Sequence, residues 1–265
     1  MNWKTILVEA DYHCGSRVGL TPKEYRSLEW RDEENLELRN FYIMQKEIYE
    51  WRKKILKEIG KVDIHFILGD CIDGRGEKSG GSEILRPVET QVIMATECIQ
   101  EVGADKIYMV RGTPYHTGKN SDKEDGIARN VKAEIGNHLF VDVNGLIFDL
   151  KHKIGGSGSP VGRSTAMERA HVDNVLWHND TNKIQPKSDI LLRAHCHFYR
   201  SVEATHWRVI RCPPTSGMGS KFGEKECSAI VEIGMIIIKV NDKGGYECDP
   251  RILEAEFLKA RILKA

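Results

Sequence analysis

The sequence lacks an excess of charge of either sign. Lysine and arginine together number 39, as do aspartate and glutamate, so the formal net charge is zero. Proteins that coat nucleic acid without sequence preference carry an excess of positive charge. The composition therefore does not indicate that class, and any contact with nucleic acid would require a local basic patch.

The sequence also lacks a long apolar run and a paired-cysteine motif. The apolar run at residues 5–8 is too short for a signal peptide, and no stretch approaches the length of a membrane span. The seven cysteines are odd in number and include no C-x-x-C motif, which favours free thiols in a reducing compartment. We therefore expect a cytoplasmic protein that is not bound to a membrane.

Short apolar runs alternate with stretches of helical periodicity in the first half of the chain. Apolar residues spaced three and four apart predict helices over residues 41–59 and 88–102, and a shorter helix runs from Asp125 to Ile135. Strand–helix–strand alternation predicts a sheet with parallel strands and helices packed on it. The apolar runs that predict its strands are Ile6–Val8, Val62–Leu68, Lys106–Val110 and Asp189–Leu192.

The second half of the chain has strand-like runs with short links. They cover residues 139–141, 146–148, 206–210 and 229–240, and Asn144-Gly145 is typical of a hairpin turn. These runs predict a second, more antiparallel sheet that faces the first. A flexible loop at 155–160 precedes a helix from about Ser164 to Trp177. We expect one domain over 1–265, with a helical insert around 21–60 and an amphipathic C-terminal helix at 249–265.

Carboxylate and imidazole side chains follow several of the predicted strands. If the chain stays extended there, residues two apart point the same way. Mixed oxygen and nitrogen ligands suit Mn²⁺, Fe or Zn²⁺. Each pair alone is typical of an ordinary polar turn, but together they indicate a centre for two cations. The residues are Asp11, His13, Asp70, His152, His195 and His197, with Asp73 able to brace a ligand or the loop.

The order of these motifs resembles that of the calcineurin-like metallophosphoesterases over Ile6 to Pro214. The shared order is Asp-x-His, Gly-Asp-x-x-Asp-Gly, Gly-x-x-x-His, a lone His, and His-x-His. The resemblance implies an α/β fold, a four-layer αββα sandwich of two mixed β-sheets flanked by helices. It also implies two divalent metal ions, manganese foremost, with iron, zinc or magnesium as alternatives. The first would be held by Asp11, His13, Asp70 and His197, and the second by Asp70, His152 and His195, with Asp70 as the bridge.

The sequence departs from the family pattern after the third predicted strand. Thr113 stands where the family has an Asn ligand, and His116 is displaced by two residues. Three alternatives follow: a weaker second metal site, a Thr113 that binds through water, or a His116 that itself reaches the metals. Ala194 replaces a usual glycine, which is tolerable if its φ is negative.

The resemblance implies hydrolysis of a phosphate ester by a hydroxide shared between two cations roughly 3.5–4 Å apart. Asp70 and His116 are the candidate catalytic residues, with His116 as the acid that protonates the leaving oxygen. We expect a phosphodiester substrate, a nucleotide or nucleic acid, so that a nuclease is included. The candidate phosphate-binding residues in nearby loops are Arg17, Arg75 and Arg111, together with Lys119 and Arg163.

Three other functions stay open at this point. One is a phosphomonoesterase that acts on a nucleotide or a phosphoprotein. Another is a catalytically impaired family member that serves as a binding module, which the Thr113 departure favours. A third is a structural zinc protein that uses Cys196, although tetrahedral spacing of sulfur and nitrogen ligands is not found. The oligomeric state is left open.

Overall fold

The computed structural model describes residues 2–31, 34–76, 84–118, 122–155, 161–218 and 231–255. Its strands are β1 (Trp3–Glu9), β2 (Ile64–Ile67), β3 (Lys106–Val110), β4 (Glu134–Gly136), β5 (Leu139–Val143), β6 (Leu146–Leu150), β7 (Ile190–Arg193), β8 (Arg200–Ala204), β9 (Trp207–Arg211), β10 (Gly234–Asn241) and β11 (Tyr246–Ile252). Its helices are α1 (Leu36–Ile59), α2 (Val88–Gln100), α3 (Pro114–Thr117), α4 (Glu124–Val131) and α5 (Thr165–Asn179).

The strands form two mixed sheets. The first has the order β11-β10-β1-β2-β3-β4, and the second has the order β5-β6-β7-β9-β8. Strands β1 to β4 pair in parallel, whereas β10 and β11 add an antiparallel edge. In the second sheet, β6, β7 and β9 are parallel and β5 and β8 are antiparallel to their neighbours. The two-sheet prediction is therefore confirmed.

Side-chain alternation along the strands separates four layers. In β1, Ile6 and Val8 join an apolar cluster that also contains Phe148 and Ile210 of the second sheet. Leu7 has the opposite parity and packs on the helix side, in a cluster with Ile55 of α1. Because successive residues of a strand face opposite sides, one apolar run supplies both the layer between the sheets and the layer under the helices.

Helices cover both outer faces. Residues of α1, α2 and α4, including Ile48, Met94 and Ile127, pack on the outer side of the first sheet. Met167 of α5 packs with Leu191 and Val209 on the outer side of the second sheet. The chain is thus a four-layer αββα sandwich, as the sequence resemblance implied.

Two of the predicted strands lie in the other sheet from the one expected. The strand at Asp189–Leu192 is β7, and it belongs to the second sheet rather than the first. The predicted strand at 229–240 is β10, and it pairs antiparallel with β1 in the first sheet. The third predicted helix was also too long, because it ends at Val131 and Glu134–Gly136 is the short strand β4.

The predicted C-terminal helix is wrong at its start. Residues 249–252 are the end of β11, which pairs with β10, and residues 256–265 lie outside the described part of the chain. Most of the predicted loop at 155–160 also lies outside it. In the predicted insert at 21–60, two short 3-10 turns precede the long helix α1. None of the described helices has the length and apolar character needed to cross a membrane.

Candidate metal centre

The loops that follow β1 and β2 run side by side at one edge of the first sheet. The amide of Asp11 donates to the carbonyl of Gly69 at 2.9 Å, and the amide of His13 donates to the carbonyl of Asp70 at 3.0 Å. Parallel strands end at the same edge of a sheet, so their trailing residues meet there. Chain geometry therefore brings the Asp-x-His and Gly-Asp motifs together.

Two glycines allow the β2 and β3 loops to touch. Gly69 has a φ of +84°, and a Cβ built on it would lie 2.7 Å from the Cα of Gly112. A Cβ on Gly112 would lie 2.1 Å from Oδ1 of Asp70. Only residues without a side chain fit this approach. The glycines at the strand ends thus place the Asp70 carboxylate against the start of the β3 loop.

The structure brings together all six residues predicted to bind metal, with His116 beside them. In each of three groups, one potential ligand atom per residue lies within 4.8 Å of the others. These groups share Asp70 and His13, so they form one continuous centre. The groups are Asp11, His13 and His197; His13, Asp70 and His116; and Asp70, His152 and His195.

The backbone at these residues is not extended, contrary to the assumption made from the sequence. The φ angles are positive at Asp11, His13, Asp70, His195 and His197, between 45° and 76°. Left-handed φ values are uncommon for residues other than glycine, and they cluster at functional sites. The side chains converge because each loop curls at its ligands, and not because alternate residues share a strand face. Ala194 does not have a positive φ, so alanine is tolerated where the family usually has glycine.

The first group has the donor set and the polarity of a cation site. Oδ1 of Asp11 is fully buried and has no hydrogen-bond partner among the described residues. It lies 3.4 Å from Nε2 of His197 and 3.9 Å from Nε2 of His13, and these two nitrogens are 3.2 Å apart. A buried carboxylate oxygen without a partner is costly. A divalent cation between these atoms would satisfy the oxygen and both nitrogens.

Neighbouring acceptors orient the imidazoles for such a role. Nδ1 of His13 lies 3.0 Å from Oδ1 of Asp73, and Nδ1 of His152 lies against the carbonyl of Leu68. Each ring then donates its proton at Nδ1 and directs the lone pair of Nε2 into the centre. Nε2 of His152 is 3.0 Å from Oδ2 of Asp70, the residue implied as the bridge.

The charges in the centre act mainly on one another. Burial would raise the pKa of Asp11, but His197 lowers it, and the net effect is a lowered pKa. The pKa of Asp70 is likewise lowered, because His152, His116 and His13 together outweigh burial. In return, Asp70 raises the pKa of His152 to about 10 against the effect of burial. Burial and the nearby His152 lower the pKa of His195 to about 4. The two carboxylates are therefore ionised near neutral pH and can bind cations.

Thr113 and His116 are both at the centre, in different relations to it. The hydroxyl of Thr113 lies 3.0 and 3.1 Å from the two carboxylate oxygens of Asp70, and its amide donates to Oδ1 at 2.7 Å. The short helix α3 then turns His116 back, so that its Nδ1 lies 3.1 Å from Oδ1 of Asp73. Burial would lower the pKa of His116, but this bond and the charges of Asp70 and Asp73 raise it to about 9.

Two of the predicted phosphate-binding arginines bond to other side chains of the protein, and a third is exposed. Arg111 is bonded to Asp125 at 2.6 Å and to Asn137. Arg17 pairs with Glu37 and lies over the ring of Phe41. Arg75 is exposed in the loop after Gly74, and Lys119 lies outside the described residues.

Sequence reasoning missed two buried side chains that hold the loops. The carboxylate of Glu124 accepts from the amides of Cys71 and Gly112 at 2.8 and 2.7 Å. Burial, together with the charge of Asp70, raises its pKa to about 7. The side chain of Gln91 accepts from the amides at 73 and 74 and donates to the carbonyl of Gly74. Both residues lie on helices, where a polar residue has no distinctive spacing.

The cysteines near the ligands take no part in the ligand groups. Cys14 and Cys71 are buried in the helix-side core of the first sheet. The thiol of Cys196 lies 3.8 Å from the carbonyl of Ile154, on the helix side of the second sheet. None of the three belongs to a metal-ligand group among the described residues. These positions do not supply the sulfur ligands of a structural zinc site.

No protein-family model and no curated protein matches this sequence. Among solved structures, the chain is similar to Vacuolar Protein Sorting 29 from Cryptosporidium parvum, at 12% identity and a TM-score of 0.46, over 95% of this chain and 98% of that one. It is similar to a novel archaeal phosphodiesterase at 13% identity and a TM-score of 0.43, over 93% and 99%. It is also similar to a predicted phosphoesterase from Streptococcus pneumoniae at 13% identity and a TM-score of 0.40, over 95% and 99%. At these identities the likeness concerns the fold alone.

Proposed function

We propose that this protein is a dinuclear metallophosphoesterase that hydrolyses phosphodiesters of a nucleotide or nucleic acid. The observation that carries the proposal is the convergence of two ionised carboxylates and four imidazoles on one edge of the sandwich. Asp11, His13, Asp70 and His197 would hold one cation, and Asp70, His152 and His195 would hold the other, with Asp70 shared between them. Two bound divalent cations activate water near neutral pH and stabilise negative charge on phosphate oxygens.

A charge count favours a diester over a monoester. Two divalent cations with the carboxylates of Asp11 and Asp70 leave a charge of +2, if the imidazoles are neutral ligands. A phosphodiester carries one negative charge, and an attacking hydroxide carries another, so the pair balances the centre. A monoester with two negative charges, together with the hydroxide, would exceed the positive charge of the centre. The main charges that act on Asp11, Asp70, His152 and His195 come from the ligand side chains and not from lysine or arginine.

The remaining polar groups have roles that follow from their contacts. Asp73 fixes the ring of His13 through Nδ1 and also contacts His116. His116 lies beside the candidate ligands and would give a proton to a leaving oxygen. Glu124 accepts from the amide that follows Asp70 and from the amide that precedes Thr113, so the Asp70 carboxylate is positioned before substrate binds.

The test is a comparison of ester classes with manganese-loaded protein. A bis-aryl phosphate and a mono-aryl phosphate are assayed in parallel, followed by nucleotide mono-, di- and cyclic esters and by single- and double-stranded nucleic acid. We expect the diesters to be hydrolysed with the higher kcat/KM. Preference for the monoesters would overturn the substrate class, and absence of turnover on every ester would overturn the enzyme proposal.

The matched variants are Asp70→Asn and Asp105→Asn. Asn tolerates the left-handed backbone at position 70 and keeps the volume, but it removes the charge that two cations would share. We expect this variant to lose metal and activity together, with its circular dichroism unchanged. Asp105 lies before β3, at the other end of that strand, and pairs with Lys61, so its replacement should leave both properties intact. Full turnover and metal content in Asp70→Asn would refute the bridging role.

One observation favours a second candidate function, a binding module with impaired turnover. The hydroxyl of Thr113 contacts both oxygens of Asp70, so it competes for lone pairs that a bridging carboxylate gives to cations. A protein of this kind would bind one cation per chain and hydrolyse none of the esters. Metal analysis of purified protein separates the two candidates, since the enzyme proposal requires two cations.

A further inference from the structure

Two arginines lie over a phenylalanine that follows a candidate metal ligand in the chain, and a third lies opposite one of them in a neighbouring strand. Phe198 follows the ligand His197 in the chain, and the guanidinium carbons of Arg211 and Arg163 lie 4.3 and 5.3 Å from its ring centroid. Arg211 donates through Nη2 to the backbone carbonyl of Arg163 at 3.0 Å. Arg200 lies opposite Arg211 in the pairing of β8 with β9. We call Arg163, Arg200 and Arg211 the arginine cluster.

Arg211 is buried without an anion to balance it. The residue is 0% exposed, and its Nε and Nη1 atoms have no hydrogen-bond partner within the described parts of the chain. No carboxylate of those parts lies within ion-pair distance of Arg163, Arg200 or Arg211. A buried unpaired cation is costly, and contact with an aromatic face offsets only part of the cost.

The neighbouring charges in the cluster are all positive. Burial lowers the pKa of Arg211, and the positive charges of Arg200 and Arg163 lower it further, whereas Cys196 opposes them. Because arginine keeps its proton in proteins, the mutual repulsion persists at neutral pH. An anion placed among the three groups would remove it.

The start of α5 adds a further favourable field for an anion. Nε of Arg200 donates to the hydroxyl of Ser164, the residue at the N-terminus of α5, at 3.1 Å. The Ser164 hydroxyl does not accept a capping hydrogen bond from the backbone amides of this 15-residue helix. The N-terminus of a helix carries partial positive charge and attracts phosphate. The helix end and the unpartnered, buried Arg211 thus point independently to an anionic ligand.

We propose that Arg163, Arg200 and Arg211, with the N-terminus of α5, bind a second phosphate group of the substrate next to the metal centre. The inference rests on the proposed function, because it assigns the bound phosphate to the same ester. It narrows the substrate class to esters that carry at least one phosphate beside the scissile one. Arg163 and Arg200 contact this phosphate, and Arg211 supplies charge from beneath them. Arg111 and Arg17 take no part, since each is paired elsewhere.

The experiment uses the full chain with Arg163→Gln, Arg200→Gln and the matched control Arg129→Gln. Arg129 is exposed on α4, on the other side of the sandwich. The substrates are a bis-aryl phosphate, which has one phosphate, a nucleotide with a diphosphate, and an oligothymidylate. We expect each cluster variant to raise KM about tenfold for both multiply phosphorylated substrates. KM and kcat for the bis-aryl phosphate should stay within about twofold of wild type.

Salt dependence adds an independent readout. Each lost phosphate contact on a single strand should reduce the slope of log KM against log salt by about 0.7. A higher KM on the diphosphate alone would identify an adjacent diphosphate as the ligand, whereas a higher KM on the oligonucleotide alone would identify the next diester. Equal KM values in wild type and both cluster variants on all three substrates would overturn the proposal and leave the diesterase function standing.

A second measurement does not depend on turnover. Inorganic pyrophosphate is titrated calorimetrically into protein kept metal-free by a chelator, so that metal ions at the centre do not contribute to binding of the anion. We expect binding to wild type and Arg129→Gln, and at least tenfold weaker binding to both cluster variants. If no ester is hydrolysed but this titration gives the expected pattern, the proposed function fails and the anion site stands. Absence of binding to wild type, or equal binding to all variants, overturns the site.

Discussion

Asp73 offers the sharpest single-residue test of the metal centre. Its Oδ1 lies 3.0 Å from Nδ1 of His13 and 3.1 Å from Nδ1 of His116, and the residue is 4% exposed. Asp73→Asn preserves the shape but removes the charge that holds the His13 ring. Loss of such a partner typically weakens metal binding 10–100-fold, which corresponds to about 1.4–2.7 kcal/mol.

The assay is calorimetric titration of Mn²⁺ into metal-free protein, with Asp105→Asn as the control. We expect the weaker affinity in Asp73→Asn to belong to one of two resolved binding events, because Asp73 contacts His13, a candidate ligand of the first cation. The control should match wild type. An Asp73→Asn protein that binds both ions within twofold of wild type would refute the view that this carboxylate orients the ligand.

Three further outcomes follow from other contacts. Thr113→Asn should tighten the weaker Mn²⁺ site several-fold in the same titration, since an amide oxygen replaces a hydroxyl that contacts Asp70; unchanged affinity would contradict this. Arg52→Met should lower the free energy of unfolding in urea by about 3–5 kcal/mol, because it removes the guanidinium that pairs with the buried carboxylate of Glu9, whereas Lys54→Met on the exposed face of α1 should cost less than about 0.5 kcal/mol. The pKa of Glu9 is lowered in the folded state despite burial, through Arg52 and His65, so its contribution to stability is present above the unfolded pKa of about 4.3 and is lost as the pH falls below it. Glu9→Gln should therefore show a smaller difference in unfolding free energy between pH 7 and pH 3 than wild type, and an equal difference would argue against the lowered pKa.

The sequence predicts local elements more reliably than their assignment to sheets. Strand β3 has the predicted bounds, Lys106–Val110, because a charged start and a glycine end frame one apolar run. Strands β7 and β10 were placed in the wrong sheets, since an apolar run shows that a strand is buried and not which neighbour it pairs with. The short strand Glu134–Gly136 was absorbed into a helix because three residues carry no readable period.

For the centre, residue types and their order were enough to name the six candidate ligands that the structure brings together, but the way in which they converge was not readable. Residues two apart were expected to share a strand face, whereas Asp11 and His13 both have left-handed φ values. The turn that returns His116 depends on α3, a four-residue helix. The supporting carboxylate of Glu124 comes from a helix that reaches the centre only through tertiary packing.

The left-handed backbone at Asp11, His13, Asp70, His195 and His197 has a consequence for the evolution of this chain. Residues in this region cost of order 1–3 kcal/mol each, and glycine adopts it without that cost. Glycine at one of these positions therefore relieves backbone strain while it deletes a ligand. The residue type that this backbone conformation favours is therefore one that cannot contribute a metal ligand.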